Sequence, residues 1–228
     1  MEHRRYGGII RHIHDNGNEV GREWFTISVH RDQRTVRALC ELEGEEIVRD
    51  TTYTVDGDWR PLDCFVRLSV NDAFQGSGWF LFTDHAIECE TFTADAGRVS
   101  QTVSVARRPP VFVPHPLVCD GWQTAALSDV KPGQVQHIHG AADSSPLPHG
   151  GSGPMIGLTD KAFRYEGEET ITVPAGTFQT RHYDLLPSNT DWPPLGLWVA
   201  GEDRQLIKAR WDLRERDYVL TELWGDMV

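Results

Sequence analysis

Apolar and polar residues alternate with period two along most of this chain. In residues 21–30 (GREWFTISVH), Glu23, Phe25, Ile27 and Val29 fall on one face and Trp24, Thr26, Ser28 and His30 on the other. A strand that is half buried has this pattern, because successive side chains point to opposite faces. The pattern predicts further strands at 34–42, 46–55, 61–70, 77–83, 85–93 and 98–106. Turn residues separate them: Glu43-Gly44, the hairpin pair Asp56-Gly57, and Asp95 with Gly97. Strands at such short spacing predict an antiparallel meander and not βαβ units.

The rhythm breaks at Arg107-Arg108-Pro109-Pro110. A Pro-punctuated stretch follows, with a helix predicted over 116–128, opened by Pro116, whose missing N–H is harmless there. Gly121 weakens that prediction and Lys131-Pro132-Gly133 ends it. Residues 134–139 (QVQHIH) read as a strand and 140–157 as a long Gly/Pro/Ser-rich loop. Strands are predicted again at 161–173, 177–185, 195–200, 204–213 and 217–224. No repeat or linker divides the chain, so residues 1–228 are expected to form one domain.

Composition adds limits. The 228 residues are 39% hydrophobic, enough for a full core. The formal net charge is -12, with acids and bases interspersed and no basic stripe, which argues against nucleic acid as a partner. No stretch is long and apolar enough to span a bilayer as a helix, and no apolar signal region follows the basic start MEHRRYGGII, so a cytoplasmic location is expected. Cys40, Cys64, Cys89 and Cys119 are widely spaced, with no CxxC, and are expected to be buried free thiols.

Three pieces in order carry a family resemblance: strands giving way to one mid-chain helix, ETITVPAGTFQTRHYDL at 169–185, and LGLWVAGEDRQLIKARWDL at 195–213. They resemble a bacterial domain-of-unknown-function family of the lipoprotein-carrier-like (LolA/LolB-like) superfamily, most sharply over about residues 115–224. VPAGTF is the most specific element, a tight turn at Pro174-Ala175-Gly176 with Phe178 after it. The resemblance implies a curved, incompletely closed antiparallel sheet, an incomplete β-barrel, around one central helix, with an apolar ligand on its concave side. The superfamily also resembles a cofactor-free enzyme of indole-pigment biosynthesis, so this fold is compatible with catalysis.

Ten histidines are the outstanding chemical feature. His12/His14 and His137/His139 are His-x-His pairs, which on a strand put both rings on one face. Such a pair could hold a metal with help from His115, His149 or Asp120, or could simply decorate a wet face. The segment from His115 to Trp122 joins His115, as a general acid or base, to Asp120, which would orient it. His115, Asp120, His137 and His139 are therefore the candidate catalytic residues. Tyr53, Arg67, Trp79, Gln101, Trp122 and Tyr183 are the candidate substrate-binding residues. Arg67, within the apolar run Phe65-Val66-Arg67-Leu68, should need an anionic partner such as Asp50, Asp63 or a substrate. Ser152 in HGGSG lacks a nucleophile elbow, and Cys119 lacks an electropositive setting.

The function expected from these features is that of a cofactor-independent lyase or isomerase. It would use histidine acid/base chemistry on a small apolar, aromatic or isoprenoid compound. A non-catalytic carrier of a hydrophobic ligand and a His-ligated metal enzyme are the alternatives. The oligomeric state stays open, with a homodimer among the options.

Overall fold

The alternation folds as the strands it predicts. A computed structural model describes residues 3–147, 149–188 and 191–227. Its first half is an eight-strand meander: β1 (His3–His14), β2 (Glu19–His30), β3 (Gln33–Leu42), β4 (Ile47–Val55), β5 (Pro61–Val70), β6 (Ala73–Phe82), β7 (Ala86–Thr93) and β8 (Gly97–Ser104). A short β9 (Phe112–Val113) and the helix α1 (Val118–Gln123) interrupt it. A second meander follows: β10 (Val135–Asp143), β11 (Gly157–Val173), β12 (Gly176–Leu186), β13 (Leu195–Ala200), β14 (Gln205–Trp211) and β15 (Arg216–Gly225).

All fifteen strands lie in one sheet, ordered β8 to β1, then β15 to β9. The chain's two ends make the central seam, since β1 pairs antiparallel with β15. Among the described residues, only β9 pairs in parallel, with β10. The sheet is long, curved and not closed by strand pairing between β8 and β9. It nevertheless curls over a common core. Phe112 of β9 lies 5.1 and 4.7 Å, centroid to centroid, from Phe80 and Phe82 of β6. Inward positions such as Phe25, Ile27, Val36, Val66, Ile87 and Leu197 are buried together.

The structure adds β1 and β9 to the expected strands and starts β6 at Ala73 instead of 77, and two further boundaries differ more. The loop predicted at 140–157 is shorter, because β10 continues to Asp143 and β11 starts at Gly157. A bulge between Ile138 and Ala141, with Gly140 at φ 72°, absorbs the irregular residues and lets the ladder resume. The helix expected over 116–128 is only six residues long, followed by a 3-10 turn at Thr124–Ala126. Leu127 then turns extended, at φ -93° and ψ 144°. All six residues of α1 are buried, packed against β9, β13 and β14. The four cysteines are buried and free, as expected.

Candidate functional site

Antiparallel pairing brings the late residues of β1, β3, β10, β12 and β14 to the same end of the barrel as the early residues of β2, β4, β11, β13 and β15. A cleft of about 310 Å³ opens at that end. Its volume is at the lower limit of the about 300–1,000 Å³ usual for small-molecule sites. The polar part of its lining includes His12, Glu23, Arg49, His115, Asp120 and Gln123. Leu185, Leu186, Trp192, Leu195 and Trp211 supply an apolar side.

His12 is the least expected member. It is only 2% exposed, and neither ring nitrogen has a hydrogen-bond partner. Its ring meets Tyr218 edge-on at 4.9 Å. Gly21 on β2 makes room for it: a Cβ there would stand 3.0 Å from His12 Nδ1 and 2.5 Å from the Glu41 carbonyl. Burial, reinforced by the Arg216 charge, holds the imidazole neutral, with its pKa down to about 3.

Glu23 has a different task. Helix α1 has no side-chain cap of its own. Glu23 supplies one across the barrel, accepting the Val118 N–H at Oε1 (2.9 Å) and the Leu117 N–H at Oε2 (2.8 Å). Cys40 Sγ donates to the same Oε2 at 3.2 Å. A carboxylate at a helix start satisfies N–H groups that would otherwise lack partners. Burial still dominates and raises the Glu23 pKa to about 7, against these hydrogen bonds.

Asp120, in the first turn of α1, is thereby fixed beside Glu23. Its carboxyl accepts Gln123 Nε2 at 2.7 Å. Burial, then the nearby Glu23 charge, raises its pKa to about 7, partly offset by Lys161. Arg49 is 2% exposed and donates to the Pro114 carbonyl, Ser144 Oγ and the Gly150 carbonyl. It therefore clasps the loop between β10 and β11. His115 lines the cleft at a left-handed φ of 77°, its Nε2 donating to the Ser145 carbonyl at 3.0 Å.

Of the ten candidate residues, His115 and Asp120 line this cleft. His137 and His139 are exposed on β10, stacked on each other at 6.0 Å, and His139 pairs with Asp160 at 2.9 Å. They point away from the core because Ile138 between them points into it. Arg67 is also exposed, lying 5.8 Å over the Phe74 ring, with no buried anion to answer. Cys64, Val66 and Leu68 take the inner face of β5, so Phe65 and Arg67 face outward. Trp79 lies opposite Phe65 on the same outer face, 41% exposed. Tyr53 and Trp122 are core rings 5.8 Å apart, and Tyr183 packs on Tyr165 at 5.3 Å. Gln101, on the edge strand β8, accepts the Ile156 N–H at 2.9 Å and ties down the loop. Among the described residues, no three His, Cys, Asp or Glu side chains gather as a metal set. Burial pushes the Cys119 thiol far up, which makes it a poor nucleophile.

Glu23, Arg49, His12 and Arg216 carried a signal that pattern reading can detect. Each sits at an inward position of its strand: Glu23 in line with Phe25 and Ile27, Arg49 with Ile47 and Thr51, Arg216 with Tyr218 and Leu220. Polar residues on an apolar face are the informative exceptions.

No protein-family model matches the chain, and no curated protein matches it. Solved structures do. A β-barrel-like protein of domain of unknown function DUF1849 from Brucella abortus aligns over 98% of both chains, with 9% identity and a TM-score of 0.54. The fold is β-barrel-like. A DUF1089 family protein from Pseudomonas aeruginosa aligns over 81% of this chain and 87% of its own, with 14% identity and a TM-score of 0.44. The β-barrel-like fold places the cleft at one barrel end but does not name its chemistry. No helix among the described residues is long and apolar enough to cross a membrane.

Proposed function

We propose that this chain is a cofactor-independent acid–base enzyme, a lyase or isomerase, built on a half-barrel of LolA/LolB-like type. Its substrate is a small, largely apolar aromatic or isoprenoid compound held in the end cleft. One observation carries this reading. His12 and Asp120 line one cleft from different elements, and burial drives their proton affinities in opposite senses. A neutral imidazole with unpartnered nitrogens can donate its N–H to a substrate oxygen without titrating, and a carboxyl with a pKa near 7 can take up or release a proton at neutral pH. His115 replaces neither, since its Nε2 is engaged by the Ser145 carbonyl, and serves to position the loop.

The test is a turnover screen of aromatic and isoprenoid compounds that bind the protein. Asp120→Asn should lower turnover by about 100-fold or more while leaving binding within a few-fold, and His12→Gln should lower turnover and affinity together. Full turnover in both variants would remove His12 and Asp120 from the reaction. The apolar wall of Leu185, Leu186, Trp192 and Trp211 also suits a hydrophobic-ligand carrier. Tight binding with no turnover of any bound compound selects that second reading.

A further inference from the structure

Among the described residues, Arg49 is a buried cation without an anion. Its guanidinium lines the cleft and all three of its hydrogen bonds go to neutral oxygens, the Pro114 and Gly150 carbonyls and the Ser144 hydroxyl. Its Nε–H has no partner. The carboxyls that share the lining are engaged elsewhere. Glu23 holds the start of α1, and Asp120 holds Gln123. Asp160 takes His139 and the Gly140 N–H. Asp143 is drawn toward Lys161 and the Ser145 N–H, and its Oδ1, though unpartnered, makes no hydrogen bond to Arg49. Burying a charge away from water costs several kcal/mol in effective terms unless a counter-charge answers it. His12 adds a second donor to the same cleft, since a neutral imidazole carries one N–H and neither of its nitrogens is partnered. Arg214 and Arg216 line it too.

We infer that the ligand of this cleft is a monocarboxylate, its carboxylate received by Arg49 and His12 and its apolar body lying along Leu185, Leu186, Trp192 and Trp211. This rests on the cleft being the ligand site, as proposed above, and names the class of compound it takes. A guanidinium fork matches a carboxylate in shape, and charge-assisted hydrogen bonds are about twice as strong as neutral ones. Burial lowers the Arg49 pKa only to about 10, so the cation persists at neutral pH.

The experiment compares acids with their uncharged amides on the wild-type protein. 4-Phenylbutyrate and octanoate are titrated beside 4-phenylbutyramide and octanamide, by calorimetry and by quenching of tryptophan fluorescence. The acids are expected to bind at least about tenfold more tightly than the amides, a difference of about 1.4 kcal/mol. Amides that bind as well as acids overturn the carboxylate assignment and leave the cleft as a ligand site. Failure of all four to bind overturns both readings. Arg49→Gln, checked for folding by its melting curve, should bring acid affinity down to the amide level. An undiminished preference for acids in that variant overturns the role of Arg49. If Arg49→Gln does not fold, the wild-type comparison decides alone.

Discussion

At the scale of single residues, His12 gives the fold an acid-sensitive element. In the unfolded chain its imidazole titrates near 6.5, whereas in the folded protein it stays neutral down to about 3. Between these values the unfolded state binds more protons than the native one, so His12 makes stability rise with pH from about 3 to 6.5. Protonation therefore favours unfolding as pH falls through that window. Glu23 and Asp120 act in the opposite sense. Their pKa values, raised to about 7, make the native state the better proton binder from about 4 to 7, so their contribution falls as pH rises. Replacing His12 by Gln isolates its share. Denaturant unfolding from pH 7 to pH 4 should show His12→Gln gaining on the wild type by about 1.4 kcal/mol per pH unit below 6.5. Parallel stability curves for the two proteins would mean that His12 titrates in the native state as it does in the unfolded chain. Sequence alternation put His12 on a strand face with His14, but that face could be wet or buried. Space left by Gly21 and the ring of Tyr218 decide it, and both come from neighbouring strands.

At the scale of elements, α1 is too short to be stable alone. Beyond the packing of its buried residues on β9, β13 and β14, two contacts hold it: the Glu23 carboxyl at its N-terminus, and the close backbone approach of Gly121 to Arg204 and Leu206. A Cβ at Gly121 would stand 2.2 Å from the Arg204 carbonyl oxygen and 3.1 Å from the Leu206 nitrogen. Helix propensity alone predicts that Gly121→Ala stabilises by about 1 kcal/mol. Packing predicts the reverse, and the obstacle is backbone, which cannot swing aside. Gly121→Ala should destabilise by about 1–3 kcal/mol. A raised melting temperature would show that α1 can stand off from β14. The strands themselves were largely legible in the sequence, because one apolar face per strand imposes the period-two pattern. Which face is inner was less legible where both faces carry large apolar groups. On β5, Arg67 read as a cavity residue because it stands within the apolar run Phe65-Val66-Arg67-Leu68, but Cys64, Val66 and Leu68 take the inner face and leave it outside. The start of α1 and the extent of β10 were hidden for a different reason: a capping carboxyl 94 residues upstream and a bulge at Gly140 set them, and neither is local to the pattern.

At the scale of the whole molecule, the sheet's open edge is covered by chain and not by a strand pair. The described residues between β10 and β11, 144–147 and 149–156, lean on the other half of the barrel. Ile156 donates to Gln101 on β8, Gly150 accepts from Arg49 on β4, and the Gly153 carbonyl lies over Gly76 on β6. The two glycines of β6 make this possible. A Cβ at Gly76 would stand 2.5 Å from the Gly153 oxygen, and one at Gly78 would stand 2.8 Å from Pro154 Cγ. The same segment carries Ser145, Leu147 and His149 to the lip of the cleft, so the cover over the edge is also one wall of the site. Gly76→Ala should therefore loosen the cover before it harms the meanders, because the β4–β7 ladders hold without it. Hydrogen exchange should show faster exchange at Met155 and Ile156, which bond to the Ser144 carbonyl and Gln101. Protection in β2 and β3 should be unchanged, since sub-global opening releases one cooperative unit at a time. Binding of any cleft ligand should weaken in the same variant, because one wall becomes mobile. Uniform loss of protection across the sheet would show instead that the segment and the barrel unfold as one unit, making the cover part of the core and not a separable wall of the cleft.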